Sequence, residues 1–269
     1  MTSTGAAFDR ARSEDRAALV GYLPAGFPDV EGGIEALRVM VDAGCDVIEI
    51  GLPYSDPVMD GPTIQAAAQQ ALDNGVRTAD VLRTVEAVAA TGVPTLVMTY
   101  WNPVERYGVD RFAQDLADAG GAGLITPDLT PDFAPEWIAA ADRLDLDKVF
   151  LVSPSSTDER IAMTTAACRG FVYATAVMGV TGARTTTSDL AGPLVARTKA
   201  TTSVPVGVGL GVSNGAQAAD VAAYADGVIV GSAFVRALQD HAGDRAAGLA
   251  ALRALTTDLA AGVAGGVRA

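Results

Sequence analysis

The chain has few of the side chains on which histidine and lysine chemistry depends. Its 269 residues include one histidine, His241, and two lysines, Lys148 and Lys199. With a single histidine, a Ser-His-Asp triad is not expected, because the only imidazole lies in a polar stretch near the C-terminus. A metal centre built from several histidines is excluded for the same reason.

Cysteine and basic charge are also scarce. Cys45 and Cys168 are the only cysteines, and we interpret both as small buried apolar residues rather than as a disulfide or a metal site. The net charge of −13 is unfavourable for binding nucleic acid or anionic lipid, so neither a nucleic-acid nor a membrane partner is expected. The N-terminal sequence shows no apolar targeting segment, and the apolar runs are too short to span a bilayer. The expected compartment is the cytoplasm.

Short β-branched runs alternate with longer alanine-rich amphipathic stretches. This alternation is typical of parallel βαβ units, and eight such units close into a TIM barrel. We therefore predict a single (β/α)8 TIM barrel with an added N-terminal helix, as one domain over residues 1–269, and keep a doubly wound open sheet as the alternative. The predicted strands are Ala18–Leu23, Val47–Gly51, Thr95–Thr99, Gly123–Ile125, Lys148–Val152, Gly170–Ala174, Val204–Gly209 and Gly227–Val230. Helices are predicted between them, for example at Ile34–Ala43, Val109–Ala119, Pro135–Arg143, Asp158–Cys168 and Ala216–Tyr224, and a last helix near the C-terminus.

A glutamate stands inside the apolar second strand. Because side chains alternate along a strand, Glu49 shares a face with Val47, and the neighbouring isoleucines suit the helix layer. Glu49 is then expected inside the barrel, where loss of solvent raises a carboxyl pKa and allows it both to donate and to accept a proton near neutral pH. A purely structural glutamate is the alternative. Asp60 follows on a proline-rich loop, where it is either a second site carboxyl or a turn residue.

Two glycine clusters follow the last two predicted strands. The first spans residues 207–213 (GVGLGVS), and the second, at 231–235 (GSAFV), resembles the start of a short helix. Barrels often bind phosphate between these two loops and a helix N-terminus, so we predict a phosphate site here. The long loop at 175–188, with glycines at 179 and 182, is predicted to act as a lid, with a plain surface loop as the alternative.

These residues together resemble the tryptophan synthase α chain family. The most specific motif is EIGLPYSDPVMDGPTIQ at residues 49–65, supported by GYLPAGFPD at 21–29, GVTG at 179–182, GVGLG at 207–211 and the Gly231–Ser232 pair. The likeness runs in order over nearly the whole chain. It implies a TIM barrel that cleaves indole-3-glycerol phosphate to indole and glyceraldehyde 3-phosphate. Met59, Thr130 and Leu210 depart from the usual residues of the family.

The resemblance also assigns roles to individual residues. Glu49 corresponds to the general acid–base, Asp60 to the carboxylate that holds the indole N–H, and Tyr173 to a tyrosine beside the catalytic pair. The substrate-binding positions that it implies are Ile64, Tyr100, Thr181, Gly182, Gly211, Gly231 and Ser232. In the resulting hypothesis Glu49 protonates indole C3 and then takes the proton of the glycerol hydroxyl, while Asp60 stabilises the charge on the ring nitrogen.

The family works with a second protein. The resemblance implies an αββα heterotetramer with a tryptophan synthase β chain, which carries pyridoxal phosphate, so no cofactor and no metal are expected in this chain. The loops Pro53–Pro62 and Asp128–Pro131 are the predicted contacts.

Other reaction classes fit less well. A Schiff-base aldolase needs a lysine at the carboxyl end of a strand, whereas Lys148 begins one and Lys199 precedes another. A metal-dependent aldolase lacks histidine ligands. A phosphosugar isomerase stays open as an alternative, although it usually needs more than one proton-transfer group. A catalytically silent barrel that only activates a partner is another alternative. Glu49 argues against it, because a silent scaffold gains little from a carboxyl inside an apolar strand.

Overall fold

The computed structural model describes residues 3–175, 188–209 and 211–266, and its centre is a ring of parallel strands. The described residues form nine of them: β1 (Ala18–Pro24), β2 (Val47–Gly51), β3 (Thr95–Met98), β4 (Gly123–Ile125), β5 (Asp147–Val149), β6 (Leu151–Val152), β7 (Val172–Thr175), β8 (Val206–Gly209) and β9 (Gly227–Val230).

The strand order shows that the sheet closes. It runs β5-β4-β3-β2-β1-β9-β8-β7-β6, so each strand lies beside its neighbours in the sequence and β1 pairs with β9. The two ends of this order, β5 and β6, are separated by Phe150 alone, so they are the two halves of one strand. A doubly wound sheet would reverse direction at a switch point, and this order has none. The (β/α)8 TIM barrel is therefore confirmed and the open sheet is wrong.

Helices connect the strands and form the outer layer. They are α1 (Thr4–Ser13), α2 (Val30–Asp42), α3 (Pro62–Asp73), α4 (Thr78–Ala89), α5 (Trp101–Tyr107), α6 (Val109–Asp118), α7 (Pro135–Arg143), α8 (Asp158–Ala167), α9 (Ser188–Lys199), α10 (Gly215–Ala222), α11 (Ser232–Gln239) and α12 (Arg245–Gly265), with a short 3-10 helix at Pro131–Phe133.

Polar side chains mark where several helices begin. Asp29 accepts a hydrogen bond from the backbone N–H of Gly32 at 2.7 Å before α2, and Asn214 does the same for Gln217 at 3.0 Å before α10. Each bond satisfies one of the N–H groups that a first helical turn leaves without a partner. The predicted strands and helices named from the sequence are present, with ends that differ by a few residues, and strand five is split at Phe150.

The barrel interior is a separate apolar core, and α1 closes its amino-terminal end. Val20, Val47, Leu96 and Phe171 point inward, and Phe8 of α1 stacks on Phe171 with ring centroids 5.1 Å apart. The alternate residues of the strands, such as Ile48 and Ile50, pack outward against the helices. With α1 filling the amino end, the carboxyl ends of the strands are the end at which a site can form.

A buried carboxylate holds α1 in place. Oδ2 of Asp147 accepts hydrogen bonds from the backbone N–H of Thr4 at 2.8 Å and from its hydroxyl at 2.5 Å. Thr4 is fully buried and Asp147 is 2% exposed, so both donors would lack a partner without this carboxylate.

Helix α12 is 21 residues long, an 18-residue stretch of it has a mean hydropathy of 1.2, and by length and composition alone it could cross a membrane. Its buried residues recur every three or four positions, at Gly248, Leu252, Thr256, Leu259 and Val263. This is the one-sided pattern of a helix that packs on a protein core, and α12 lies against α10, α11 and α2.

Candidate active site

Glu49 lies inside the barrel without a polar partner. It is the third residue of β2, is 1% exposed, and neither carboxyl oxygen has a hydrogen-bond partner in the described part of the chain. Burial raises its pKa from 4.5 to about 8. A carboxylate without partners is costly to bury, so the group holds its proton at neutral pH and is poised to give it to a ligand.

Asp60 lies on the loop between β2 and α3, half-buried. Burial raises its pKa, and a hydrogen bond with the Tyr100 hydroxyl opposes that shift. The Tyr100 hydroxyl also accepts the backbone N–H of Met59 at 3.0 Å, and the Asp60 carbonyl accepts the Gln65 amide at 2.7 Å. These bonds fix the loop, so the Asp60 carboxyl is held beside Tyr100 rather than free in solvent.

Tyr22 and Tyr173 cover the carboxyl ends of neighbouring strands. A Cβ built on Gly51 would stand 2.2 Å from the Tyr22 hydroxyl oxygen, and one built on Gly209 would stand 2.5 Å from that of Tyr173. Only glycine leaves room for the two rings at these strand ends.

The two tyrosines and the two carboxyls form one electrostatic cluster. The pKa of Tyr22 is raised by burial first and then by the charges of Asp60 and Glu49, and the pKa of Tyr173 by burial and then by Glu49. Glu49, Asp60, Tyr100 and Tyr173 thus lie near one another, and their roles in the reaction stay predictions. Tyr22 was not predicted, although it shares the inward face of β1 with Val20.

A helix begins beside Tyr22, since a Cβ built on Gly231 would stand 3.2 Å from Cδ1 of that ring. Gly231 precedes α11, and Ser232, its first residue, is buried. The first backbone bond of α11 is donated by Phe234 to the Gly231 carbonyl at 2.9 Å, so the N–H groups of Ser232 and Ala233 have no acceptor within the helix. Such N–H groups, with the helix dipole, suit a phosphate. Gly211 has a φ of 73°, and a Cβ there would meet nothing within 4 Å.

The remaining predicted positions are placed as follows. Ile64 lies in the first turn of α3, 6% exposed, in the apolar layer between strands and helices, and its substrate contact stays a prediction. Thr181 and Gly182, with the rest of the predicted lid at 176–187, and Leu210 lie outside the described residues. Within the described ranges, His, Cys, Asp and Glu side chains form no group that could hold a metal ion.

Comparison with known proteins gives a consistent result. A family model described as "Tryptophan synthase alpha chain" matches residues 8–264. The chain is 65% identical to the tryptophan synthase alpha chain of Salinispora arenicola, over 98% of each chain, and 64% identical to that of Acidothermus cellulolyticus, over 98% and 97%. Among solved structures, it resembles Mycobacterium tuberculosis tryptophan synthase (58% identity, TM-score 0.90, 97% of each chain) and tryptophan synthase subunit alpha of Legionella pneumophila (30% identity, TM-score 0.86, 98% and 99%).

Proposed function

Because this chain belongs to the tryptophan synthase alpha chain family, we propose that Glu49 and Asp60 carry out its reaction. The chain is a lyase that cleaves indole-3-glycerol phosphate to indole and glyceraldehyde 3-phosphate in tryptophan biosynthesis. The observation that carries the assignment of residues is the buried Glu49 carboxyl, which lies inside the barrel on β2 and has no polar partner in the described chain.

Glu49 is proposed to act first as an acid and then as a base. Indole is a poor carbon leaving group until its C3 is protonated, and a carboxyl with a pKa of about 8 holds the required proton at neutral pH. As the bond from C3 to the glycerol carbon breaks, its electron pair returns to the indole ring. The neighbouring hydroxyl becomes the aldehyde, and its proton passes to the ionised Glu49, which restores the acid.

Asp60 is proposed to stabilise the intermediate. Protonation at C3 places a positive charge on the ring nitrogen, and a carboxylate that accepts its N–H lowers the energy of that state. The bond with Tyr100 supports this role, because it favours the ionised form of a half-buried Asp60. Tyr173, next to Glu49, would pack against the reacting atoms.

The phosphate is proposed to bind between Gly211 and the start of α11, at Gly231 and Ser232, with Gly182 as a further contact. Thr181 would close over the site with the lid. Support comes from the helix N–H groups without acceptors at Ser232 and Ala233. The indole is then expected toward Tyr100 and Ile64, on the side of Asp60.

The chain works with a tryptophan synthase β chain, and we propose an αββα heterotetramer joined through the loops Pro53–Pro62 and Asp128–Pro131. Pyridoxal phosphate is proposed to belong to the β chain. Lys148 bonds Asp142, and Lys199 bonds the Tyr224 carbonyl and Asp226 at 3.0 and 3.1 Å, so both lysines of this chain are engaged away from Glu49.

We also propose that residues 1–269 form one domain and act in the cytoplasm. The first and last strands pair side by side in one sheet, and the two cysteines are buried and free. A biosynthetic role fits that compartment.

The experiment is indole release from indole-3-glycerol phosphate, measured with the purified chain alone and with its cognate β chain. Wild-type protein should release indole, and release should rise with the β chain. Glu49→Gln should fold and release at least a hundredfold less, as expected for loss of a general acid–base. Glu86→Gln, an exposed carboxyl on α4, is the matched control and should behave as wild type. Activity near wild type in Glu49→Gln would refute the assignment.

A further inference from the structure

We propose that the Tyr22 hydroxyl binds the hydroxyl groups of the three-carbon glycerol segment that joins the indole to the phosphate. Tyr22 would thereby position the carbon–carbon bond that breaks. This inference rests on the proposed function, because it takes the phosphate end and the acid end of the site from that assignment.

The ring of Tyr22 lies across the barrel mouth between those two ends. Tyr22 pairs with Glu49 in the register of β1 and β2. One edge of the ring faces the phosphate end, where a Cβ on Gly231 would stand 3.2 Å from Cδ1 of Tyr22. The hydroxyl reaches the other way, over Gly51 at the end of β2. A ligand that extends from α11 to the carboxyl pair must therefore pass along this side chain.

The hydroxyl is available to a ligand. The described residues form no hydrogen bond with it, and Asp60, Glu49, Tyr100 and Tyr173 each influence its titration through their charges. Burial and the two carboxyl charges raise the pKa of Tyr22 well above its usual range, so the group stays neutral and keeps its proton. A neutral hydroxyl can both donate and accept, which suits an alcohol partner.

The other parts of the substrate are less suitable partners. The phosphate has N–H donors at the start of α11, and the indole N–H is assigned to the Asp60 carboxylate. The glycerol hydroxyls lie between phosphate and indole in the covalent structure of the substrate. One of them gives its proton to Glu49 in the proposed reaction, and the other has no partner assigned above. Tyr22 occupies the corresponding place between Gly231 and the carboxyl pair.

The test compares two ligands in the full-length chain. One is indole-3-glycerol phosphate, measured by its KM and kcat in the indole-release assay. The other is an indole-3-propyl phosphate, which keeps the ring, the three carbons and the phosphate but lacks the hydroxyls, measured by its inhibition constant. Tyr22→Phe removes one oxygen and keeps the ring that packs against Gly231. We expect Tyr22→Phe to lower kcat/KM for the substrate by roughly 3- to 15-fold, the usual effect of losing one hydrogen bond, while the inhibition constant changes less than twofold.

Tyr224→Phe is the matched control, because the Tyr224 hydroxyl is buried, has no partner among described groups, and belongs to the chain segment that follows α10. Tyr224→Phe should change neither kcat/KM for the substrate nor the inhibition constant of the indole-3-propyl phosphate. If Tyr22→Phe weakens inhibition by the analogue as much as it lowers kcat/KM for the substrate, the proposal is overturned and a packing role is left. If neither quantity changes, the proposal is overturned as well. Absence of indole release in wild-type protein would instead refute the proposed function itself, so the two failures are distinguishable.

Discussion

The Tyr173 hydroxyl oxygen lies over Gly209, 2.5 Å from where a Cβ of that residue would stand. The same construction places the Tyr173 ring atoms Cε1 and Cζ at 3.0 and 3.1 Å, so an added methyl group would meet the ring as well as the hydroxyl. The end of β8 therefore fixes the position of a tyrosine on β7, and that tyrosine in turn lies near Glu49.

Gly209→Ala is expected to displace Tyr173 and reduce catalysis. A shift of the ring by a fraction of an ångström disturbs the geometry around Glu49, and we expect kcat/KM to fall by about 10- to 100-fold. Steady-state indole release measures this loss. Gly192→Ala in α9 is the control, because its Cβ would meet nothing within 4 Å. It should leave kcat/KM unchanged and leave stability equal or slightly higher, as helical alanines do. Full activity in Gly209→Ala would show that Tyr173 has no positioning role.

The buried Glu49 should make stability depend on pH. Its pKa is 4.5 in an exposed reference state and about 8 in the fold. Between these values the folded chain keeps a proton that the unfolded chain has lost, so the free energy of unfolding falls as pH rises, by at most about 1.4 kcal/mol per pH unit. The stabilisation that the Glu49 proton equilibrium contributes to the free energy of unfolding is fully present below pH 4.5 and is lost above pH 8.

Glu49→Gln removes this dependence, because the amide does not titrate. Urea unfolding of both proteins at several pH values between 5 and 8.5 measures it. The variant should gain stability relative to wild type as pH rises. A stability difference that stays constant over this range would mean that Glu49 is not held protonated by the fold.

The rate profile should be bell-shaped, with each limb set by one carboxyl. Turnover needs protonated Glu49, so kcat/KM should decline above about pH 8. It also needs ionised Asp60, so kcat/KM should decline on the acid side. Tyr100→Phe removes the hydrogen bond that lowers the pKa of Asp60, so the acid limb should move to higher pH while the basic limb stays in place. Movement of both limbs together, or of neither, would contradict this assignment.

The parts of the fold that depend on local pattern could be predicted from the sequence. Alternation along β2 was sufficient to place Glu49 inside the barrel and the neighbouring isoleucines outside it. The break at Phe150 could not be predicted, because β5 and β6 each follow a different neighbouring strand, and that depends on barrel closure. The added N-terminal helix was predicted, but its role in closing the barrel rests on Phe8 and Phe171, which are distant in sequence.

Some residues of the site could also be predicted from the sequence and others could not. Glu49 and Asp60 lie in one continuous motif, so the sequence alone is enough to associate them. Tyr22 was missed because its place in the site depends on two glycines, Gly51 at the end of β2 and Gly231 directly after β9, and these two strands lie on either side of β1. An inward tyrosine at the carboxyl end of a strand was the available signal. Its meaning becomes clear only when the register places Tyr22 opposite Glu49.

An exposed aromatic residue marks the predicted partner surface. Phe133 ends the 3-10 helix that follows the Asp128–Pro131 loop, and it is 75% exposed. Neighbouring bonds hold that turn, since Asp132 accepts the Thr130 hydroxyl at 2.7 Å and pairs with Arg160 at 3.1 Å. A rigidly presented aromatic side chain is typical of an interface anchor.

Phe133→Ser should weaken binding of the cognate β chain by about tenfold or more and leave indole release by the isolated chain unchanged. Titration of labelled β chain measures the affinity. Phe133→Leu keeps an apolar side chain and should retain most of the binding. Unchanged affinity in Phe133→Ser would place the contact elsewhere.

Asp147 is expected to be the main polar support of α1. Asp147→Ala leaves two fully buried donors of Thr4 without a partner and should lower the free energy of unfolding by about 2–4 kcal/mol. Urea unfolding measures the loss. Asp145→Ala is the control. Asp145 pairs with Arg169 at 3.1 Å, as Asp147 does at 3.7 Å, but the Asp145 side chain is 89% exposed, and surface pairs of this kind contribute about 0–1 kcal/mol. Equal effects in the two variants would mean that the helix is held by Phe8 and its apolar neighbours alone. Because the pKa of Asp147 is raised by burial despite both Thr4 bonds, the contrast should be measured near neutral pH, where the carboxyl is ionised and accepts them.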